Sequence, residues 1–281
     1  MTTASGSCEI RKGSGNSVEV EVTYTYDEDT FTPRLEQSGE RLELGEDRHG
    51  RDQNGSSRWT ISIPDGLRMR FQTGSGDLVI TDVNIDINAG TGSGDLEFSG
   101  LKGTLDATTG SGEVTLANFN GEAKVNTGSG DMDIRDSSGD LEMNCGSGDI
   151  RISQAKAAFQ INTGSGTINA DKITIDAASK FNTGSGRAKV SLAASPKFDL
   201  AVNSGSGDAE LNFNGNEISG EIVMRASKRH GNISAPFEFD KTEEVEQGGY
   251  NNTTIVKTAQ RGKGTNRISV STGSGDATLK K

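Results

Sequence analysis

The sequence predicts an all-β fold: a single-stranded parallel β-helix, or β-solenoid, that turns about once every 18 residues. Three observations lead there. First, a Gly-Ser-Gly corner recurs at Gly74, Gly92, Gly110, Gly128, Gly146, Gly164, Gly184, Gly205 and Gly273. The spacing is constant from Gly74 to Gly164, a little wider to Gly184 and Gly205, and far wider to Gly273. A fixed period of roughly 20 residues is the signature of stacked repeats. Second, the residues after each corner alternate with period two, apolar then polar then apolar, as in Leu96-Glu97-Phe98, Met132-Asp133-Ile134 and Ile150-Arg151-Ile152. Third, a second alternating run precedes the next corner: Ile87 and Ala89, Leu105 and Ala107, Ala123 and Val125, Leu141 and Met143, Phe159 and Ile161. Each unit thus holds two short strands with one buried face. That face is covered only if the chain closes on itself and stacks on its neighbours, with strands about 4.8 Å apart.

The elements follow in chain order. Residues 1–73 form an N-terminal β cap with the first irregular rungs. Strands are expected over 16–26 and 41–47, and two more over 57–73 around a Pro-Asp-Gly turn. Terminal rungs of a solenoid must cover an open core, so Trp59, the only tryptophan, is read as a packing residue. The acidic run 26–30 is read as a solvated loop. Residues 74–211 carry the regular rungs, each of about 18–21 residues. Residues 212–281 carry the C-terminal rungs, with 241–264 projecting as a loop or edge hairpin. The basic stretch 225–231 is read as a solvated edge that blocks further strand addition. Continuous periodicity makes these three stretches one solenoid domain.

Right-handed crossovers dominate parallel sheets, so a right-handed coil is expected. A left-handed hexapeptide helix has a turn of the same length, but it would put an acidic column where a small apolar residue belongs. A calcium β-roll repeats a nine-residue unit, whereas here the glycine corner comes half as often.

The corner is first a backbone requirement. The glycines Gly74, Gly76, Gly92, Gly94, Gly110, Gly128, Gly146 and Gly164 are expected to supply positive φ and to leave room where a Cβ would clash. The serines between them, such as Ser75 and Ser93, can bond local backbone or the next serine. An inward column of Thr91, Thr109, Thr127, Cys145 and Thr163 closes each corner and can form a hydroxyl ladder; a free cysteine suits such a small, buried place. The acidic column Asp77, Asp95, Glu113, Asp131 and Asp149 stands just after the corner. Carboxylates stacked at the rung spacing repel by about 1 kcal/mol per pair in water. Backbone N–H groups of the corner could offset this, and so could a row of calcium ions. The same column holds Thr167 and Arg187, which a metal ladder would not tolerate. The first reading is therefore preferred, and no cofactor is expected. Asn126, Asn144, Asn162, Asn182 and Asn203 are read as a structural amide ladder, with a ligand-binding strip as the alternative.

Composition removes several classes. The net charge of −11 disfavours nucleic acid and anionic membranes. No apolar run reaches the length of about 18 residues that spans a membrane. No export signal is present, and the opening "MTTASGSCEI" reads as a mature sequence with an added Met. Cys8 and Cys145 are not expected to pair. No zinc, phosphate-loop or nucleophile-elbow motif occurs.

Four stretches together carry a resemblance: "SSRWTISIPDG" leading into "TGSGDL", the serial "TGSGD" rungs, "HGNISAPFEFD", and the closing "RISVSTGSGDATL". With them the chain resembles the bacterial putative-adhesin β-helix proteins, glycine- and serine-rich envelope proteins, from about residue 5 to 280. The resemblance implies a single-stranded β-helix that is secreted, periplasmic or at the cell surface, with no known enzyme activity and no catalytic residues to carry over.

The leading functional reading is a non-catalytic structural or adhesive module whose flat polar faces meet glycans or a cell-surface or matrix protein. End-to-end or edge self-association into fibres is a second possibility. A polysaccharide-acting β-helix enzyme is a third. It would need acids and bases to converge on one face, with Glu97, Asp133, Arg151 and Lys189 as the only candidates in register.

Overall fold

The computed structural model describes residues 1–49, 55–246 and 253–281, and these contain strands and turns but no α-helix. The chain divides into two compact units, Met1–Gly130 and Asp131–Lys281. Each is a parallel β-solenoid of stacked turns. Every turn gives one strand to a first sheet, just after the corner, and one to a second sheet, just before the next corner.

In residues 1–130 the first sheet stacks Ser57–Ile63, Ser7–Lys12, Leu78–Thr81, Leu96–Ser99 and Val114–Ala117 in that order, all parallel. Two inward files result. One runs Trp59, Cys8, Leu78, Leu96, Val114; the other runs Ile61, Ile10, Ile80, Phe98, Leu116. All ten side chains are at most 2% exposed, so the predicted alternation does mark one dry face. The second sheet stacks Arg41–Arg48, Thr2–Thr3, Arg68–Thr73, Asp86–Thr91 and Lys102–Thr109, again parallel. Asn120–Thr127 continues it in register with Lys102–Thr109.

The stacking order is not the chain order. The start of the chain, with strands Thr2–Thr3 and Ser7–Lys12, forms a rung of its own, inserted between the rung of 41–63 and the rung of 68–81. The repeat pattern does not reveal this strand pair, because Thr3-Ala4-Ser5-Gly6-Ser7-Cys8 spells the corner with Ala for the first Gly and Ser for the acid. Gly74 sits over Ala4, and Gly76 over Gly6. Two antiparallel additions close the end: Glu19–Tyr24 on Ser57–Ile63, and Phe31–Ser38 on Arg41–Arg48 through a tight turn at Gly39. Trp59 is 1% exposed in this cap, where Tyr26 stacks on Phe31 at 4.8 Å between ring centroids.

In residues 131–281 the first sheet stacks Met132–Arg135, Ile150–Ser153, Ile168–Ile175, Ala188–Leu192, Ala209–Asn212, Ala277–Lys280 and Ile233–Ser234. The second stacks Ser138–Cys145, Lys156–Thr163, Ser179–Thr183, Leu200–Ser204, Arg267–Thr272 and Gly220–Ser227. The final strands, Arg267–Thr272 and Ala277–Lys280, are therefore threaded one rung inward, beneath the rung of 220–234. This accounts for the long last interval: the corner at Gly273 lies directly on the corner at Gly205. The longer turn after Gly164 has its extra residues near Asp176–Ala178, because Ala157 pairs with Ile175 and Gln160 with Lys180.

The end of this unit is again antiparallel. Thr253–Arg261 pairs with Gly220–Ser227, and Lys241–Glu246 pairs with Thr253–Arg261; residues 247–252 lie outside the described residues. Every residue of Lys241–Glu246 is exposed. One expectation is corrected here. Arg225 is no edge residue, since its strand is paired on both sides. The charged edge is Lys241–Glu246, whose Lys241, Glu243, Glu244 and Glu246 oppose strand addition.

Candidate functional site

The corner file runs through the regular turns from Ala4–Gly6 onward, and its geometry comes first. None of the Gly-Ser-Gly glycines has φ in the left-handed region, which corrects the expectation of positive φ there. Close stacking is what demands glycine. A Cβ on Gly92 would lie 2.4 Å from the carbonyl oxygen of Gly74, and one on Gly94 only 1.9 Å from that of Gly76. Positive φ belongs to the second corner. Asp82, Gly100, Asn118, Asp136, Gln154 and Lys172 repeat there once per turn, with φ between 49° and 66°. Asn, Asp and Gly suit that conformation, whereas Gln154 and Lys172 carry a steric cost of roughly 1–2 kcal/mol.

From Thr91 onward the inward column bonds to glycine backbone, while at the first corner Thr3 Oγ1 donates to Thr73 Oγ1 at 2.9 Å. Thr109 Oγ1 donates to Gly94 O at 3.1 Å and accepts from Gly112 N at 3.0 Å. Thr91 repeats this with Gly76 and Gly94, and Thr127 with Gly112 and Gly130. In the second unit Thr163, Thr183, Ser204 and Thr272 do the same. Cys145 takes the same place, its Sγ accepting from Gly148 N at 2.9 Å. Both cysteines are buried and unpaired with each other, and burial pushes the Cys8 thiol up to about 12. The serines between the glycines, including Ser75 and Ser93, point to solvent.

The aspartates of the column accept the backbone N–H of the residue in the same place one turn on. Asp77 takes Asp95 N at 2.9 Å, and Asp95 takes Glu113 N at 2.8 Å. Asp131 takes Asp149 N and Asp149 takes Thr167 N, both at 2.8 Å. Asp208 takes Asp276 N at 3.0 Å across the long gap in sequence. Arg151 adds a bridge to Asp131 at 2.9 Å and to Asp149 at 3.2 Å. The carboxyls of Asp131 and Asp208 accordingly sit below the usual carboxylate range, chiefly because of those N–H donors and then their arginines. No group of three or more His, Cys, Asp or Glu is arranged to hold a metal among the described residues.

The asparagines form an amide chain in the second unit: Asn162 Nδ2 to Asn144 Oδ1, Asn182 to Asn162, and Asn203 to Asn182, at 2.8–2.9 Å. Of the residues proposed for sugar chemistry, Glu97 lies in the first unit, in register with Val79 and Thr115. Asp133 lies beside Arg151 and bridges Arg135 at 3.5 Å, Arg151 is held by two aspartates, and Lys189 pairs in register with Asn169 and Glu210.

One buried charge went unseen in the sequence. Glu46, with its side chain 1% exposed, accepts from Ser57 Oγ, from Trp59 Nε1 at 3.1 Å and from Arg48 Nη2 at 3.2 Å. Arg48 in turn lies 4.8 Å over the Tyr26 ring. This cluster covers the corner Ala4–Gly6, beyond which no glycine corner stacks among the described residues. Nothing in the alternating pattern around "LELGED" distinguishes Glu46 from its exposed neighbours.

Fold and corner together define a glycine-cornered β-solenoid whose backbone is closed by ladders of Thr, Asp and Asn. The chain belongs to the Toastrack DUF4097 family, whose model matches residues 1–222. Among curated proteins no relative matches the chain. A solved structure of a "putative cell adhesion protein" from Clostridium sporogenes ATCC 15579 is similar at 15% identity over 99% of this chain and 90% of that one, with a TM-score of 0.22. No helix among the described residues is long and apolar enough to cross a membrane.

Proposed function

We propose that this chain is a non-catalytic binding module of the bacterial cell envelope, exported and holding rigid polar faces toward a glycan or a surface protein. One observation carries the reading. The periodic polar side chains that face inward or along the stack are bonded to the next turn, and the outer faces keep a regular array of serine, amide and charged groups. Such a surface is stiff before it meets a ligand, so little ordering entropy opposes binding. Chemistry is not favoured, because Asp133 bridges Arg135 and the corner aspartates are tied to N–H donors and, at Asp131 and Asp149, to Arg151. The carboxyls of Asp65, Asp131, Asp208 and Asp240 shift downward, away from a general acid poised near neutrality. Fibre growth through the strand edges is disfavoured by the charges of Lys241–Glu246 and by Pro33 in Phe31–Ser38.

The test is a glycan array and an envelope-protein pull-down with the purified chain, together with a depolymerisation assay on the same glycans. Saturable binding without shortening of the glycan is expected. Release of reducing ends, or no binding to any glycan or envelope protein, would overturn the reading.

A further inference from the structure

The outer face of the first unit carries an unusual concentration of positive charge for a chain of net charge −11. Arg34, Arg41, Arg68 and Arg70 line one cleft of about 570 Å³, with Glu43 the only acid among the described residues of its lining. Alternation puts Arg68, Arg70 and Gln72 on the same outward face of one strand, while Phe71 between them is 0% exposed. Three of the arginines have acidic neighbours: Arg41 with Glu43 at 2.8 Å, Arg34 with Glu36 and with Asp47, each at 3.8 Å, and Arg68 with Asp86 at 3.7 Å. The side chains of Arg41 and Arg68 are 78% and 89% exposed, so these pairs hold them weakly. Arg70 forms no salt bridge among the described residues.

The cleft does not end at the arginines. Through Gln72 it meets a second depression of about 380 Å³, lined by Gln72, Asn88, Gly90 and Thr108. Its lining is uncharged and rich in amide and hydroxyl groups. Gly90 gives it a bare backbone floor, over which the Gln72 amide lies. Gln72 Nε2 donates to Asn88 Oδ1 at 3.3 Å, a long bond that a ligand hydroxyl could replace.

The geometry points to the cleft and trough as one site for an acidic oligosaccharide, with the arginines taking carboxylate or sulfate groups and the trough taking the neighbouring hydroxyls. Guanidinium groups bind such oxyanions through paired N–H donors. Amide and hydroxyl side chains are suited to sugar hydroxyls. An acidic peptide is less favoured, because Arg68–Thr73 is paired along its whole length to Asp86–Thr91, and what the site offers is side chains on a sheet face. Among the described residues neither lining has an aromatic ring, so affinity would rest on charge and fall with salt. This inference rests on the reading of the chain as a binding module.

The experiment is titration calorimetry on the full chain with a galacturonate hexamer, a heparin hexasaccharide, maltohexaose, a glutamate hexapeptide and inorganic sulfate. The two acidic sugars separate carboxylate from sulfate recognition. At least one is expected to bind at least tenfold tighter than maltohexaose and than the peptide. The double variant Arg41→Gln/Arg70→Gln, at exposed positions that leave the fold intact by circular dichroism, is expected to lose at least tenfold. Asn88→Ala/Thr108→Ala should weaken the acidic sugar but leave inorganic sulfate unchanged. Equal binding of maltohexaose, tighter binding of the peptide, an unaffected arginine variant, or no binding by either acidic sugar would each overturn the proposal. If the arginine variant still binds array glycans as the intact chain does, this site fails while the binding module stands; if the intact chain binds nothing on the array or in the pull-down, the module reading itself fails.

Discussion

Thr109→Val isolates the contribution of the inward hydroxyl column. The two side chains have the same shape, so no cavity opens, and Thr109 is 1% exposed, so water cannot replace its hydroxyl. Two hydrogen bonds disappear, one to Gly94 O at 3.1 Å and one from Gly112 N at 3.0 Å. A typical bond contributes about 1 kcal/mol net, and a buried group left without a partner costs about 1–3 kcal/mol. The greater burial tolerance of a methyl group offsets part of this, leaving a loss of about 2–4 kcal/mol. Thr109→Ser keeps the hydroxyl and removes one methyl, worth about 0.8 kcal/mol. The expected order of stability is therefore Thr, then Ser, then Val. Equilibrium urea denaturation measures it, and amide exchange at Gly112 reports the loss locally. A Val variant within about 0.5 kcal/mol of the parent, or more stable than the Ser variant, would refute the reasoning.

Three other outcomes are expected. Gly94→Ala forces a Cβ to within 1.9 Å of the backbone oxygen of Gly76, so urea denaturation should show a loss of about 3 kcal/mol or more, while exposed Ser93→Ala should stay within about 0.5 kcal/mol. Asp131 and Asp208 have folded pKa values below the unfolded value of about 3.9, so their stabilisation is present above that pH and is lost as pH falls through the folded values. The urea midpoint should be steady from about pH 5 to 7 and fall below about pH 4, less steeply in Asp131→Asn. A thiol reagent at about pH 8 should label neither buried cysteine in the native chain and both in denaturant, because the Cys8 thiolate forms only near pH 12; rapid native labelling would contradict the packing.

The sequence disclosed most where local pattern and stacking agree. The alternation in Leu96-Glu97-Phe98 and the constant corner spacing place the regular strands and their buried faces, because a repeat buries each apolar column against its own copy. It disclosed least where stacking is remote in the chain. A count of intervals treats Gly205 and Gly273 as interrupted, though they are neighbours. The corner at Ala4–Ser7 was hidden by two substitutions and by its distance along the chain from Gly74. The left-handed second corner was blurred by Gln154 and Lys172, which break an otherwise visible series of Asp, Gly and Asn. The arginine cleft could not be read at all, since it gathers Arg34 and Arg41 from one hairpin and Arg68 and Arg70 from a strand with another rung between them.

The central claim is that turns lie on one another by register, whatever their distance in the chain, and one engineered pair tests it directly. Ser206 and Ser274 are exposed corner serines on turns paired through Ser204 and Thr272. Their Cα atoms should therefore be about 4.8 Å apart, within disulfide range. Ser206→Cys/Ser274→Cys should form that bond on mild oxidation, seen by peptide mapping, while Ser185→Cys/Ser274→Cys, two turns apart at about 9.6 Å, should not. Failure of the first pair to close, or equal closure of the second, would contradict the threaded stack.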